Sequence, residues 1–168
     1  MRFVRTRILP LFMSLILVVL LANVICAQKV RMPENWKKFD LPLFSFFAPS
    51  DFVSEPFKGK DSAIWKYKNQ DLELTIDLGL YSAKPTEDKD EDNYVEKSVV
   101  VDKKKATIVS FKFSDSDSKE FKYVTAVYFP RIGLDETKLS FIANSKTSEK
   151  QEIAEKIFRS IKFKNQKK

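Results

Sequence analysis

The alternation of residues 72–81, LELTIDLGLY, constrains the fold of this chain more than any other feature. Five aliphatic residues share one parity and five mostly polar residues share the other: Leu72, Leu74, Ile76, Leu78 and Leu80 against Glu73, Thr75, Asp77, Gly79 and Tyr81. Successive side chains of a β-strand point to opposite faces of a sheet. The pattern therefore predicts a strand with one buried, leucine-rich face and one face in water.

A second pattern, near the end of the sequence, supplies a cover for the leucine face. Apolar residues recur there at helical spacing and form one stripe: Ile153, Ala154, Ile157, Phe158 and Ile161. Ser148 followed by Gln151 fits a capping box, in which each side chain bonds a backbone N–H of the other residue. We therefore expect a helix that begins at Thr147 or Ser148 and packs on the leucine face.

Six other segments have the composition of strands, and polar links at residues 69–71 and 102–105 join neighbours into hairpins. With the central strand, the predicted strands cover residues 43–49, 61–68, 72–81, 94–101, 106–113, 121–129 and 138–143. Strands in hairpin order closed by a helix predict an α+β fold. The expected architecture is an antiparallel sheet of six to seven strands with the C-terminal helix packed on one face.

The N-terminal residues are typical of an export signal. Arg2, Arg5 and Arg7 precede an almost wholly apolar run over residues 8–25, and Ala27 is a small residue suited to cleavage before Gln28. The apolar run approaches the roughly 20 residues that span a bilayer, so an uncleaved N-terminal anchor is the alternative. In both cases we expect a periplasmic or extracellular domain.

This signal sets the predicted organisation of the 168 residues. Residues 1–27 are the signal peptide, and residues 28–42 an ordered lead-in held by Trp36 and Phe39. Residues 43–163 are the α+β domain, and residues 164–168 a basic tail. After cleavage, 27 basic and 23 acidic residues leave a net charge of +4.

The single cysteine, Cys26, lies within the predicted signal, and the bulky Ile25 before it argues against a lipid-modified cysteine. The exported chain would then contain no disulfide and no sulfur ligand for a metal. The whole sequence contains no histidine. The usual general base at neutral pH and the Ser-His-Asp and Cys-His arrangements are therefore excluded.

The remaining catalytic patterns are weak. Residues 116–119 match S-x-x-K, but that motif works at a helix N-terminus, and here it lies in a predicted turn between strands. Glu73 and Asp77 share the polar face of the central strand about 13 Å apart, too far for a glycosidase pair. We expect no catalytic residues and no cofactor.

One metal pattern occurs at residues 88–92. Asp88, Asp90 and Asp92 resemble the start of a calcium loop, but the glycine and the final carboxylate that such a loop requires are replaced by Asn93 and Val99. The pattern favours a solvated charge run, with weak calcium binding as the alternative.

The lysine-rich positions are typical of a soluble surface rather than of a nucleic-acid-binding one. Residues 103–105 lie on a predicted hairpin tip, where lysines discourage edge pairing. Acidic residues are interspersed with the basic ones, and the chain carries an export signal, so we expect no nucleic-acid partner.

The sequence resembles the PsbP-like α+β domains, named for an extrinsic subunit of photosystem II and including exported bacterial proteins of unassigned role. The likeness lies in the opening strand FSFFAP (residues 44–49), the hairpins, and the ending AEKIFRSIKF (residues 154–163). The tryptophan that often follows this strand's proline is replaced by Phe52. The resemblance implies a helix-packed antiparallel sheet, an accessory or binding role and no shared catalytic motif.

The hypothesis that follows is an exported, non-catalytic domain that binds a protein or an envelope component. The candidate binding residues are Glu73, Asp77 and Tyr81, beside the charged loop at residues 82–93. The alternatives are a small-ligand binder or hydrolase with a carboxylate pocket, and a membrane-tethered structural protein.

Overall fold

The predicted central strand forms over Leu72–Gly79 and is the third strand of a seven-stranded antiparallel sheet. The computed structural model describes residues 32–56, 59, 61–85, 91–114, 119–133 and 136–164. Leu74 and Ile76 are fully buried, which confirms the leucine face. Leu80 follows the end of the strand and is 54% exposed, so its predicted place on that face is wrong.

The described residues form ten strands and one helix. In chain order these are β1 (Trp36–Asp40), β2 (Phe44–Pro49), β3 (Val53–Glu55), β4 (Ala63–Lys68), β5 (Leu72–Gly79), β6 (Asp92–Val101), β7 (Lys104–Lys112), β8 (Tyr123–Phe129), β9 (Lys138–Ser145), α1 (Glu149–Arg159) and β10 (Lys162–Phe163).

The strands form two sheets, with the orders β3-β4-β5-β9-β8-β7-β6 and β1-β2-β10. The α+β class and the hairpins β4–β5 and β6–β7 are confirmed. The expectation that all the strands belong to one sheet is wrong, because β2 pairs with β1 and β10. β1 comes from the predicted lead-in, whose Trp36 and Phe39 pack against the core as expected.

The core lies between the seven-stranded sheet and a second layer made of α1 and the three-stranded sheet. We call the sheet face that carries Leu74 the inner face, and the face that carries Asp77 the outer face. On the inner face, the Phe141 ring centroid lies 5.4 Å from that of Phe44, 5.3 Å from Phe46 and 6.1 Å from Phe158. The predicted helical stripe is confirmed as the packing face of α1, with Ala154, Ile157 and Phe158 at 0% exposure.

α1 begins at Glu149, one residue after the predicted range of Thr147 or Ser148, and its hydrogen bonds differ from a capping box. Ser148 is the N-cap residue and makes no side-chain cap hydrogen bond. Gln151 Nε2 instead donates to the Val124 backbone oxygen at 3.1 Å, which connects the first turn of the helix to β8. The Thr147 side chain and the backbone N–H of Glu149 donate to the Glu149 carboxylate and lower its pKa.

Ser160 connects the end of α1 to β2. Its hydroxyl oxygen accepts the Phe47 backbone N–H at 2.8 Å and lies 2.6 Å from the Ile157 backbone oxygen, to which it donates. The side chain is 4% exposed, so these bonds satisfy groups that water cannot reach. They fix the helix relative to the three-stranded sheet.

Asp102 fixes the β6–β7 hairpin to the end of the chain. Asp102 and Lys103 have φ values of 47° and 67°, as a two-residue type I′ turn requires. The Asp102 carboxylate accepts the Phe163 backbone N–H at 2.7 Å and the Lys162 ammonium at 3.0 Å. Burial by itself would raise the pKa of Asp102. The two donors lower this pKa by more than burial raises it, so the net shift is downward.

Asp102→Asn should therefore destabilise the domain in a pH-dependent way. A carboxyl with a lowered folded-state pKa stabilises the fold above its unfolded pKa of about 3.9 and loses this effect as the pH falls through the folded-state pKa. We expect the substitution to lower the free energy of unfolding by about 1 kcal/mol at pH 7. The difference between the two proteins should become smaller below about pH 4. Urea titrations of both proteins at pH 7 and pH 3 measure it, and an equal loss at both values would contradict this role.

The described residues all belong to one compact unit. The predicted signal at residues 1–27 lies outside the described residues, as do residues 165–168 of the predicted tail. Lys164, the first residue of that tail, forms an ion pair of 2.7 Å with Asp40 and lowers the pKa of this carboxyl. No helix within the described ranges is long and apolar enough to cross a membrane.

Candidate binding surface

The structure does not bring the three predicted binding residues together. Glu73 and Asp77 both lie on the outer face of β5, four residues and therefore about 13 Å apart. Tyr81 follows the end of the strand and is 79% exposed. A single pocket that joins the two carboxylates does not form from β5.

Asp77 lies beside two hydroxyl groups that bond to the backbone and to each other. It is opposite Ser140 on β9, and its Oδ1 is buried with no hydrogen-bond partner among the described residues. Ser82 Oγ lies 3.1 Å from the Asp77 backbone oxygen and 2.9 Å from Ser140 Oγ, which donates to the Ala83 backbone oxygen at 2.6 Å. An activated serine needs a hydrogen bond to its base, and neither hydroxyl has one to the Asp77 carboxylate.

These hydroxyls instead anchor residues 82–83, which follow β5, to the outer face. Ser82, which is 1% exposed, holds this segment to β9, and Lys84 forms an ion pair with Glu96 on β6. Val109 on β7 and Ala126 on β8 lie between β9 and β6 on this outer face, and both are 0% exposed. The prediction that the outer face is in water is therefore wrong for this half of the sheet.

The covered half of the outer face has its own small core. Val109, Phe111 and Val124 are buried there together. The Phe111 ring stacks on Tyr94 at 6.4 Å between centroids and meets Phe113 edge-on at 5.5 Å. Both faces of the sheet are thus packed around β7 and β8.

One part of the outer face is open. A recess of about 450 Å³ lies where β6, β7 and the end of β8 meet, and it is lined by Ser98, Val99, Val100, Lys105, Ala106, Thr107 and Pro130. We call its outer-face residues Ser98, Val100, Lys105 and Thr107, together with Pro130, the open corner. Val100 is 67% exposed in this recess, and Lys105 beside it is also exposed.

A second groove, of about 310 Å³, lies on the inner face beside the start of α1. It is lined by Asn93, Val95, Ser110, Phe111, Lys112, Tyr123, Ser148 and Gln151. The open corner and this groove therefore lie on opposite faces of the sheet, and both border β6.

The structure tests the two weak motifs only in part. Asp88 and Asp90 lie outside the described residues, and Asp92 is exposed at the start of β6. Within the described ranges, no three His, Cys, Asp or Glu residues come together as metal ligands. Residues 116–118 of the S-x-x-K match are also outside, and Lys119 Nζ lies 3.9 Å from the centroid of the Phe113 ring.

The open corner was missed in the sequence, although Val99, Val100 and Val101 carried a signal for it. In an alternating strand the middle residue of three valines must point away from the other two. The described lining of the recess is apolar with hydroxyls and one lysine, and none of these residues is a carboxylate. Such a surface can bind an apolar side chain next to an acidic group, but it contains no acid–base pair. No protein-family model matches the chain, and no curated protein matches its sequence.

Proposed function

We propose that this is an exported, non-catalytic domain that binds a protein or an envelope component through the open corner. The main support for this proposal is the exposure of Val100, an apolar side chain that stays 67% exposed inside a recess. Exposed apolar surface with a polar border is typical of interaction sites. Asn, Asp or Glu side chains at this position would keep the strand soluble without such a surface.

The chemistry of the open corner indicates what its partner presents. Val100 and Pro130 offer apolar contact, and Lys105 lies directly opposite Val100 on β7. A partner with an apolar side chain next to a carboxylate would match both features. The hydroxyls of Ser98 and Thr107 can add hydrogen bonds at the border of the contact.

The resemblance to PsbP-like domains supports the same class of function. A seven-stranded antiparallel sheet with a helix near the C-terminus is compatible with the architecture that the resemblance implies. The accessory or binding role that it implies also requires no catalytic residues. We keep membership of that family, and export directed by residues 1–27, as parts of the proposal.

The carboxylate-pocket alternative would require Glu73 or Asp77 to line a concave site with a second acid. Neither the open corner nor the groove beside α1 is lined by Glu73, Asp77 or Tyr81. We therefore propose binding rather than hydrolysis as the function.

Val100→Glu should abolish capture of the partner, because it places a carboxylate in the apolar recess that receives the partner's own apolar and acidic groups. The matched control is Val53→Glu, since Val53 is also a strand valine with 67% exposure. We expect the exported wild-type chain and Val53→Glu to recover the same partner from native envelopes in mild detergent. We expect recovery by Val100→Glu to fall at least about tenfold, as for the loss of a central contact residue.

Two results would contradict the proposal: equal recovery by Val100→Glu and Val53→Glu, or no specific partner with the wild-type chain. N-terminal sequencing of the same exported material shows whether the signal peptide has been removed. We expect the exported chain to begin at Gln28.

A further inference from the structure

We propose that β6 is a dimer interface, at which two copies of this chain pair edge to edge and antiparallel with Ser98 on the two-fold axis. β6 is the last strand of the seven-stranded sheet and the longest strand that the structure describes. It pairs with β7 on one side, and no described strand pairs with its other side. The proposal concerns the purified chain alone and does not depend on the proposed function.

Among the described residues, the usual devices that block an edge strand are missing along residues 95–101 of β6. The register with β7 shifts only between Asp92 and Val95, next to Asn93 with φ 55°, and residues 95–101 pair without interruption. Lys97, whose charge would discourage pairing, forms an ion pair with Glu155 of α1 on the inner face. The sheet's other edge strand, β3, has only three residues.

Exposed valines accompany this open edge. Val95 is 52% exposed and Val100 is 67% exposed, and they lie on opposite faces of β6. The edge therefore offers apolar side chains on both faces next to backbone groups that pair with no described strand. A strand added here would pair these backbone groups, while the valine side chains project from the two faces of the sheet.

Charge selects the register of a self-pairing. A two-fold axis perpendicular to the sheet places each residue of β6 opposite one on the same face of the other copy. An axis at Glu96 or Lys97 would oppose identical charges, which is unfavourable. An axis at Ser98, the middle of residues 95–101, opposes Val95 to Val101 and Lys97 to Val99.

Opposite charges also meet at the two ends of the paired strands. Glu91 and Asp92 lie at the start of β6, and Lys103 lies in the turn after its end. Antiparallel pairing brings the acidic start of one copy to the basic hairpin tip of the other, while parallel pairing would bring like charges together. We therefore infer a second copy, rather than a strand of another protein, as the occupant of this edge.

Disulfide trapping in the full chain with Cys26→Ser tests both the interface and its register. With the axis at Ser98, the two Cβ atoms of residue 98 lie about 4.5–5.5 Å apart, close enough for a disulfide after small adjustments. Val100 would face Glu96 of the other copy, so its two copies lie about 14 Å apart along the strands. We expect Ser98→Cys to form a covalent dimer under mild oxidation at least about tenfold faster than the more exposed Val100→Cys.

Sedimentation of the chain without an introduced cysteine provides the second measurement. We expect the Cys26→Ser protein to form a dimer and Ser98→Lys, which opposes two ammonium groups on the axis, to weaken that dimer at least about tenfold. A monomer at all concentrations would overturn the proposal, as would equal trapping of Ser98→Cys and Val100→Cys. These readouts use the purified chain, so their failure is distinct from a failure of partner capture at Val100.

Discussion

Phe141→Ala should lower the free energy of unfolding by about 3–5 kcal/mol, the range for truncating a fully buried phenylalanine. Phe141 is 0% exposed, and its ring contacts Phe44, Phe46 and Phe158. These three rings belong to the three-stranded sheet and the helix. The substitution would therefore leave a cavity at the point where β9, β2 and α1 meet.

Urea denaturation followed by circular dichroism measures this loss, and Phe121→Ala is its control. Phe121 is half-buried just before β8, with the ammonium groups of Lys68 and Lys146 at 5.2 and 5.7 Å from its ring centroid. Its truncation leaves no enclosed cavity, and we expect a loss of about 1 kcal/mol. Similar losses for the two variants would show that the core is not centred on Phe141.

Local periodicity was sufficient to predict the elements with a long, one-sided pattern. β5 alternates over its whole length, and the stripe of α1 repeats at helical spacing, so both were predicted together with the face that each buries. The short elements could not be found in this way. β3 has three residues and β10 has two, and neither is long enough to display a period.

The sequence pattern also could not show which strands pair with one another. The residues of β2 predict a strand, but alternation specifies which side chains share a face and not which strand lies alongside. β2 is buried on both faces, since Ser45 is 7% exposed and Phe46 is 1% exposed. Its neighbours β1 and β10 lie far apart in the sequence and were not recognised as a separate sheet.

The outer face was predicted from β5 alone, which explains the error there. Glu73, Thr75 and Asp77 are polar, but β7 and β8 carry apolar residues on both parities. Adjacent buried residues such as Ile108 and Val109 indicate a strand covered on both sides. That signal was present in the sequence and points to the covered half of the outer face.

The candidate surface could not be derived from a reactive cluster, because the described lining of the recess contains no acid–base pair. Sequence reasoning selected Glu73, Asp77 and Tyr81 for their polar chemistry, whereas the structure leaves Val100 open beside Lys105. Exposure depends on which residues pack on each half of the outer face, and this is a tertiary property. The proposed dimer would place the open corners of two copies side by side on one face of a continuous sheet.

The outer face is covered around Val109 and open around Val100. Thiol labelling tests this difference with Val109→Cys and Val100→Cys, each in a Cys26→Ser background, because cysteine is a small apolar replacement for a buried valine. The two residues lie on the same face of adjacent strands and differ in exposure, at 0% and 67%. We expect Val100→Cys to react with a maleimide at nearly the rate measured in urea.

We expect Val109→Cys to react at least about 1000-fold more slowly, because the buried thiol reacts only after the structure around it opens, at a cost of about 4 kcal/mol. Rates for the two variants within tenfold of each other under native conditions would contradict the account.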